Sequence, residues 1–376
     1  MMFARPNGFA LTGVEAALAL LLDGLEPVVP VEVPLIEVAG CVAVGQPPLA
    51  QALPTADEAV IDGWAFAAAD LVGASAYSPF VPVSPPSWVE VGQPMPVGCD
   101  CVLEPGLVEE IGPLVQVLAE AVPGQGVRRA GTDLPAGHPP VAAGRPVSPA
   151  DLLPARRAGV SRLQVRRPSL RIIDIAASDG ASSASETVAE LARAAGASIP
   201  AGIETTGRAV ADIVAALDAG SADLVVLVGG TGAGRSDEVA AALAAHGALG
   251  AHGIAMAPGR TTAIGRLRGV PAIALPGAPD QALAGFLVLV LPVIDRLTAR
   301  CPRQAETLPL ARKIASSIGV TELVLLRRGD RSWMPLAAGT LPLQCIAAAD
   351  AWLAVGADSE GFAAGAEVSA FALRNG

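Results

Sequence analysis

The chain has 376 residues, of which 52% are hydrophobic and 16% charged, a composition that allows two to four domains and argues against disorder. Its 25 basic and 36 acidic residues leave a net charge of -11 with no large basic cluster, so we expect no nucleic-acid partner. The longest apolar run, at 286–294, is too short to span a bilayer and contains a proline, which predicts a buried helix and no membrane partner.

The first part of the chain combines a helical pattern with a β-rich segment. The N-terminus lacks the apolar region of a signal peptide, so we expect a cytoplasmic protein, and apolar residues then follow at helical spacing over 12–25. Between 46 and 139, prolines and glycines separate short β-like runs, which predicts a β-rich insert. Ser148 and Pro149 are typical of a helix start, and 162–168 is interpreted as a basic linker.

The second part of the chain predicts an α/β region followed by a β-rich region. Strands and helices alternate at the lengths of parallel βαβ units. The predicted strands are 170–176, 223–228 and 270–275, and the predicted helices are 185–195, 208–219, 236–245 and 280–300. We therefore expect a multidomain α/β plus β protein. Its predicted parts are a helical and linker domain at 1–45 and 140–168, the insert at 46–139, a parallel α/β domain at 169–301 and a C-terminal β domain at 302–376.

The most informative motif follows the strand at 223–228 and reads Gly229-Gly-Thr-Gly-Ala-Gly-Arg-Ser-Asp. Glycine allows positive φ and a close approach of backbone to a ligand. With Ser236 as N-cap, Asp237 would lie in the first turn of a helix, where the helix dipole stabilises its charge and a carboxylate beside phosphate-binding amides suits Mg²⁺. A tight turn with an ordinary aspartate explains the same residues, and no P-loop lysine follows.

A second glycine turn, Pro276-Gly277, follows the strand at 270–275. Two such turns predict a ligand cleft at the carboxyl edge of a parallel sheet, and Asp179 follows the first strand at the same edge. Asp179 also has an ordinary explanation, because it could cap a helix or occupy a turn.

Three further motifs carry charge and have both local and functional explanations. Asp62-Gly63 and the Gly-Thr-Asp that ends at Asp133 are most often turns, and on local grounds Asp62-Gly63 is a hairpin turn. Arg260, after Pro258 and Gly259, could hold an oxyanion or could simply be solvated.

The five cysteines and three histidines do not have the spacing of metal ligands. The odd number of scattered cysteines, of which Cys99 and Cys101 alternate in a predicted strand, favours a reduced structural role.

Taken in order, the motifs resemble those of the molybdopterin molybdenumtransferase family, which includes the gephyrin E-domain. The resemblance extends over nearly the whole chain. The segments at 57–65, 92–100, 123–133, 229–237, 252–260 and 275–283 are similar, in that order, to D-N-S-A-M-D-G-Y-A, G-A-P-L-P-x-G-A-D, P-G-E-N-x-R-x-x-G-E-D, G-G-V-S-x-G-x-x-D, H-x-V-x-M-K-P-G-K and L-P-G-N-P-x-S-A-L.

The resemblance implies a fold, a reaction and an assembly. It implies a central MogA-like α/β domain that binds molybdopterin, and a cytoplasmic homodimer whose site lies between the α/β domain of one subunit and the insert of the other. The implied reaction uses Mg²⁺, inserts molybdate into adenylylated molybdopterin and releases AMP.

The resemblance also implies roles for individual residues. Asp62, Asp133 and Asp237 would be catalytic, with Asp237 also holding Mg²⁺. The residues that would bind the pterin nucleotide are Asp179, Gly229, Gly230, Thr231, Gly234, Pro258, Gly259, Arg260, Pro276 and Gly277. Arg260 would be the anion anchor.

Several positions depart from the family pattern. Gly180 replaces the glutamate of S-T-G-D-E, Ala257 replaces the first lysine of K-P-G-K, and Gly232 replaces the loop serine. Charge-assisted contacts are strong, so these losses keep a second hypothesis open. In that hypothesis the protein is a catalytically impaired molybdopterin carrier or chaperone that serves a particular molybdoenzyme or another protein of cofactor biosynthesis. A purely structural scaffold is a third reading.

Overall fold

The computed structural model describes residues 11–112, 114–175 and 182–374. The chain divides into two compact units. The first comprises the described residues of Met1–Val44, Ala143–Val147 and Gln164–Gly376, and the second comprises those of Gly45–Ala142 and Ser148–Leu163. The β-rich segment and the helix that follows it therefore form a compact body with its own core.

The described residues form 25 strands. In the first part they are β1 (Val31–Pro34), β2 (Val42–Ala43), β3 (Glu58–Ala59), β4 (Gly63–Phe66), β5 (Ser75–Phe80), β6 (Ser87–Val89), β7 (Cys101–Leu103), β8 (Val108–Ile111), β9 (Leu114–Ala119) and β10 (Val127–Arg128). In the middle they are β11 (Arg162–Arg166), β12 (Leu170–Ile175), β13 (Ile203–Thr206), β14 (Leu224–Val228), β15 (Leu249–His252), β16 (Met256–Ala257), β17 (Ala263–Leu267) and β18 (Val270–Leu275). At the C-terminus they are β19 (Ala305–Pro309), β20 (Ile314–Ala315), β21 (Thr321–Arg328), β22 (Trp333–Ala338), β23 (Ala351–Val355), β24 (Gly361–Phe362) and β25 (Glu367–Ala372).

The helices lie mainly in the first unit. They are α1 (Val14–Leu22), α2 (Pro149–Arg157), α3 (Ser183–Ala194), α4 (Val210–Asp218), α5 (Val239–Ala245), α6 (Pro279–Gly285), α7 (Leu291–Thr298) and α8 (Leu343–Ala348). A π-turn over Phe286–Val290 joins α6 to α7. Short 3₁₀ turns occur at Leu35–Glu37, Ala68–Leu71 and Pro105–Leu107.

The central sheet of the first unit has six strands in the order β13-β12-β14-β18-β17-β15. The first four strands are parallel to one another, which confirms the predicted α/β class. In contrast, β17 runs antiparallel to β18, and β15 runs antiparallel to β17. The sequence interpretation missed β13, β15 and β17. The edge strands β13 and β15 escaped it because their polar residues and glycines do not form an apolar run, and β17 because Gly265 and Arg266 interrupt its apolar pattern.

Side chains of the central sheet alternate between two apolar cores. Leu170, Ile172, Val226 and other residues of one face pack with α1, α3, α6 and α7, whereas Val225 and its equivalents on the other face pack with α4 and α5. Strands covered on both faces are expected to be apolar at successive positions, and β14 is Leu-Val-Val-Leu-Val. This two-sided burial determines where the strands end.

Among the described residues, one helix is long and apolar enough to cross a membrane by length and composition alone. It runs over Pro279–Thr298, and 78% of its most apolar window is buried inside the fold. Its apolar side chains belong to the core on one face of the central sheet. The prediction of a buried helix for this segment is therefore confirmed.

The predicted basic linker at 162–168 is wrong over most of its length. Residues Arg162–Arg166 form β11, which lies between β1 and β2 in a three-stranded sheet. Leu163 and Val165 are fully buried while the intervening side chains are polar, so the period-2 pattern of a strand was present but was hidden by the arginines.

The C-terminal region forms a sheet in the order β16-β21-β23-β25-β19, with β22 paired to β21. Its first strand, Met256–Ala257, comes from the α/β region and pairs in parallel with the start of β21. Trp333 and Leu326 belong to the core of this sheet. The predicted C-terminal β structure is therefore present.

The second unit contains two small antiparallel sheets, β6-β4-β7 and β5-β9-β8, and the two-stranded pair β10-β3. Its helix α2 begins as predicted, because Ser148 and Asp151 form a reciprocal capping box and Pro149 occupies the first turn. Two reciprocal hydrogen bonds satisfy backbone donors at this helix start.

Asp62-Gly63 is not a hairpin turn, which corrects the local interpretation of that dipeptide. Gly63 is the first residue of β4 and lacks the positive φ of such a turn. A Cβ at this position would lie 2.1 Å from the Leu103 carbonyl oxygen of β7. The glycine is required because two strands approach closely, not because the chain reverses.

We predict that Gly63→Ala destabilises the second unit by about 2 kcal/mol or more, because the new Cβ meets a backbone atom that cannot rotate away. Gly106→Ala is the matched control, since a Cβ there meets nothing within 4 Å. Thermal unfolding and limited proteolysis of both variants test this. Equal stability of the two variants would contradict the close-approach explanation.

Candidate functional site

A cleft of about 600 Å³ lies at the carboxyl edge of the parallel strands in the first unit. It forms where β12, β14 and β18 end, which is the edge at which open α/β sheets bind ligands. Its lining residues are Asp174, Ile175, Ser182, Ser183, Arg208, Val228, Gly229, Gly230, Thr231, Gly232, Asp237, Thr261, Pro276, Gly277, Ala278 and Gln281. The two glycine turns singled out in the sequence therefore meet in one cavity.

The first glycine turn leaves β14 through two residues with positive φ, Gly229 at +98° and Gly230 at +66°. The Gly229 N–H donates to the Leu275 carbonyl oxygen at 2.9 Å, which continues the ladder between β14 and β18 for one more residue. A Cβ on Gly230 would lie 2.9 Å from a Val239 methyl carbon. Glycine is therefore needed at this strand end for both conformation and space.

Asp237 folds back over the glycine turn. Its Oδ2 accepts a hydrogen bond from the Gly234 N–H at 2.9 Å, and a Cβ on Gly232 or Gly234 would lie 2.7 Å from that oxygen. The helix α5 begins at Val239 with Glu238 as its N-cap, so the prediction that Ser236 caps the helix and that Asp237 lies in its first turn is wrong. The glycine turn therefore continues through Asp237, whose carboxylate accepts from the Gly234 N–H, before α5 begins.

Arg208 enters the cleft from the loop after β13. Its Nη1 donates to the Ser236 hydroxyl at 2.8 Å and lies 3.7 Å from Asp237 Oδ1. Among the described residues that line the cleft, Arg208 is the only cationic side chain. The sequence interpretation missed it because β13 was not recognised, so nothing indicated that the following loop reaches this edge.

Thr231 is buried and its hydroxyl lies 3.2 Å from that of Thr261. Its carbonyl oxygen lies 2.9 Å from His252 Nε2. Thr261 follows the Pro-Gly-Arg motif, so this segment reaches the cleft through the residue next to Arg260.

Arg260 itself is exposed and does not line the cleft. Pro258 and Gly259 are buried, and the Gly259 carbonyl oxygen accepts from the Thr262 hydroxyl at 2.7 Å. Neither residue lines the cleft. The roles of Pro258 and Gly259 in binding the pterin nucleotide, and of Arg260 as anion anchor, therefore stay predictions.

Asp174 is a further residue that the sequence interpretation missed. It lies in β12, is only 4% exposed and lines the cleft. Its Oδ2 accepts from the Ser182 N–H at the start of α3, at 3.3 Å, whereas Oδ1 is buried without a hydrogen-bond partner among the described residues. The available signal was an acidic residue near the carboxyl end of a buried strand, since burying an unpaired carboxylate oxygen is costly.

Asp62 and Asp133 belong to the second unit and are not among the residues that line this cleft. Asp62 Oδ1 accepts from the Val91 N–H at 2.8 Å. Asp133 lies 3.4 Å from both Arg128 and Arg157, and Arg157 also pairs with Glu58. Asp179 lies outside the described residues. The predicted roles of all three aspartates stay predictions.

In the second unit, Asp57 also connects the motif at 57–65 to the motif at 123–133. Its Oδ1 accepts from the Ala130 N–H and its Oδ2 from the Arg129 guanidinium, both at 2.8 Å. The Ala130 hydrogen bond, with a smaller contribution from Arg129, holds the pKa of the Asp57 carboxyl below its usual value. The two motifs are therefore linked by an ionised carboxylate.

The cysteines do not supply a reactive group in the second unit. Burial raises the pKa of the Cys101 thiol to about 11, with a smaller contribution from Asp100, and burial also raises the pKa of Cys99. Both thiols are unpaired with other cysteines. These properties suit structural thiols.

Two carboxylates of the cleft, Asp174 and Asp237, are candidate ligands for a magnesium ion. Within the described ranges, no group of three or more histidine, cysteine, aspartate or glutamate side chains could hold a metal by itself. Mg²⁺ is commonly held by one or two carboxylates together with substrate phosphates and water. Asp237, and Asp174 with its unpartnered oxygen, fit that shared mode of binding.

Two family descriptions match the chain. Residues 12–159 match the MoeA N-terminal region (domain I and II), and residues 174–296 match a probable molybdopterin binding domain. The chain belongs to the MoeA family.

Relatives and solved structures agree with this membership. Molybdopterin molybdenumtransferase 2 of Mycobacterium tuberculosis (strain ATCC 25618 / H37Rv) is 29% identical over 343 residues, which cover 81% of this chain and 82% of that protein. Molybdopterin molybdenumtransferase 1 of the same strain is 28% identical over 263 residues, covering 64% and 62%. The molybdopterin biosynthesis MoeA protein from Pyrococcus horikoshii aligns over 96% of this chain and 100% of its own with a TM-score of 0.66, at 21% identity, which shows a shared fold.

Membership of the MoeA family places this protein in molybdenum cofactor biosynthesis and makes its α/β domain a molybdopterin-binding domain. The cleft lies within the matched segment. The structure explains one departure from the family pattern, the glycine at position 232. A side chain at Gly232 would collide with the Asp237 carboxylate, so the glycine in place of serine makes room for the position that Asp237 adopts.

We predict that Asp174→Asn raises the free energy of unfolding by about 1 kcal/mol, because a neutral NH2 group in place of Oδ1 costs less to bury without a partner than a carboxylate oxygen does. The amide oxygen can still accept from the Ser182 N–H. Asp223→Asn is the control, because the Asp223 carboxylate is satisfied by the Ser169 N–H at 2.7 Å and no such gain is expected. Chemical denaturation measures both, and a destabilised Asp174→Asn would show that Oδ1 is satisfied in solution.

We also predict a pH-dependent contribution from Asp57. Because its folded pKa lies below the unfolded value, the stabilisation is complete above about pH 4 and is lost as the pH falls through the folded pKa. Asp57→Asn should remove this part of the acid sensitivity. Unfolding measured between about pH 2 and 6 tests this, and parallel pH curves for the two proteins would contradict the assignment.

Proposed function

We propose that this MoeA-family protein inserts molybdate into adenylylated molybdopterin and releases AMP. The observation that carries the proposal is the cleft at the edge of the molybdopterin-binding domain, in which backbone amides, one arginine and two carboxylates face a single cavity. A pyrophosphate-linked pterin nucleotide needs such a combination of anion-binding and cation-binding groups. The substrates are the pterin nucleotide and molybdate.

In this proposal the backbone of the two glycine turns holds the phosphates. Gly229, Gly230 and Thr231 of the first turn and Pro276 and Gly277 of the second line the same space. The N–H groups of Gly230, Thr231 and Gly277 would donate to the phosphates. Gly229, whose N–H is bonded to the Leu275 carbonyl oxygen, and Pro276, which has no N–H, would shape the space. The start of α3 at Ser183 adds the favourable end of a helix dipole. Gly234 acts indirectly, since its N–H positions the Asp237 carboxylate.

In this proposal Asp237 would bind the metal cation and Arg208 would bind the phosphate. Asp237, with Asp174 behind it, would hold Mg²⁺ in company with the substrate phosphates, where the ion would neutralise charge on the pyrophosphate. Arg208 presents the planar fork of donors that suits phosphate oxygens, and it would supply positive charge to a cleft whose K-P-G-K motif has lost its first lysine.

The second unit completes the proposal through the resemblance. Asp62 and Asp133 would position the pterin or the molybdate from the insert of a second subunit, so a homodimer is part of the proposed assembly. Asp133 is held by Arg128 and Arg157 on two sides, which would fix the direction of its carboxylate.

A carrier function is the second candidate. The observation that favours it is that Arg260 lies outside the cleft and Ala257 lacks a charge, so one cation is present among the described lining residues where the family pattern has two lysines. A carrier would bind the pterin tightly without releasing AMP, and would pass it to a molybdoenzyme or to another protein of cofactor biosynthesis.

We predict that Asp237→Ala lowers Mg²⁺-dependent AMP release from adenylyl-molybdopterin by at least about 100-fold, because a preorganised charge at the pyrophosphate is lost. Circular dichroism should show an intact fold. Glu238→Gln is the control, because it removes one negative charge from the next residue, which does not line the cleft.

The same assay separates the two candidate functions. Molybdate-dependent AMP release by the wild-type protein supports the transferase, whereas tight pterin binding without release supports the carrier. Unchanged turnover in Asp237→Ala would remove Asp237 from the mechanism.

A further inference from the structure

The contact between Arg208 and Asp237 brings the cationic side chain of the cleft to the carboxylate best placed to hold a metal ion. Arg208 lies two residues after β13, and Asp237 follows the glycine turn after β14. The Arg208 side chain is 34% exposed and the Asp237 side chain 19%, and both line the cleft.

We propose that Arg208 is the residue that receives the substrate phosphate, and that in the ligand-free protein it restrains Asp237. Anion binding and divalent-cation binding are then coupled through one ion pair. This inference rests on the proposed function for the identity of the substrate. The coupling itself arises because the Asp237 carboxylate and a phosphate compete for the same guanidinium.

The two oxygens of Asp237 have different partners. Oδ2 accepts from the Gly234 N–H at 2.9 Å, which fixes the direction of the carboxylate, and Oδ1 faces Arg208 Nη1 at 3.7 Å. A cation that approaches Oδ1 therefore meets the positive guanidinium beside it. Repulsion between the two cations weakens metal binding until Arg208 is drawn away.

A phosphate group can draw Arg208 away because guanidinium and phosphate match in geometry as well as charge. Arginine has five N–H donors in a rigid fork, and the bond to the Ser236 hydroxyl at 2.8 Å orients that fork in the cleft. Once phosphate occupies the fork, Asp237 Oδ1 is left for a cation that also contacts the phosphate. By thermodynamic linkage, each ligand then raises the affinity for the other.

The size of each effect follows from the type of contact. The ion pair is long and partly exposed, and pairs of this kind change an equilibrium by about 2- to 5-fold. A direct charge-assisted hydrogen bond from Arg208 to phosphate is stronger, and its loss weakens binding by about 10- to 100-fold. Removing Arg208 should therefore shift the two affinities in opposite directions.

The experiment compares Arg208→Gln with Arg235→Gln. Arg235 lies in the same glycine-rich loop, is exposed and does not line the cleft, so its loss changes the net charge equally without touching the ion pair. AMP and inorganic phosphate are titrated by calorimetry without metal. Mn²⁺ is titrated without anion by electron paramagnetic resonance, and then again with AMP present.

The expected result is specific to Arg208. Arg208→Gln should bind AMP and phosphate about 10- to 100-fold more weakly, bind Mn²⁺ alone about 2- to 5-fold more tightly, and lose most of the AMP-dependent gain in Mn²⁺ affinity. Arg235→Gln should resemble the wild type in all three titrations. Arg208→Lys, which keeps the charge without the fork, should leave Mn²⁺ binding unchanged and weaken AMP binding by a smaller factor.

Two outcomes would overturn the inference. One is unchanged AMP and phosphate binding in Arg208→Gln, and the other is an equal rise in Mn²⁺ affinity in Arg235→Gln, which would reduce the effect to net charge. Failure of the proposed function has a different signature, namely absence of molybdate-dependent AMP release by the wild type while the opposite shifts in Arg208→Gln still occur.

Discussion

Strand β14 is hydrogen bonded on both sides, to β12 through the pairing of Leu224 with Leu170 and to β18 through the pairing of Val228 with Leu275. Because the three strands are parallel and in this register, they end at one edge within about a residue of one another. Every group of the candidate site is attached to that edge. A shift of one residue in β14 would exchange its two buried faces and move the glycine turn away from the cleft. The apolar side chains on both faces oppose such a shift.

The cleft contains features that do not contribute to stability. Asp174 buries a carboxylate oxygen without a described partner, and Gly229 and Gly230 lose more backbone entropy on folding than other residues would. Each feature costs free energy that the surrounding core must offset. Deviations of this kind are expected where a ligand will supply the missing contact. They occur here at the edge of the sheet, beside otherwise close-packed strands.

The departures from the family pattern alter the charge distribution around a preserved scaffold. Ala257 removes a lysine, and Gly232 removes a hydroxyl but leaves room for Asp237. Arg208 brings a cation to the cleft from a different strand. A binding site for an anion depends on where positive charge lies in space, and a residue from any element that ends at the edge can supply it. A comparison of motifs reveals the lost residues but does not reveal Arg208, because it compares positions along the chain and not positions in space.

The sequence alone determined the elements whose cause is local. The apolar run of β14, the start of α2 at Ser148, the buried helix at 279–298 and the glycine turns at 229–234 and 276–277 were predictable because periodicity, capping and glycine act within a few residues. The tertiary structure decided the features that depend on distant partners. Gly63 is needed because β7 passes close to it, β11 forms because β1 and β2 are beside it, and Asp237 precedes its helix because the Gly234 amide holds it. Arg208 and Asp174 became site residues only through the order of strands in the central sheet, since strand order depends on the packing of the whole domain and leaves no short-range pattern in the chain.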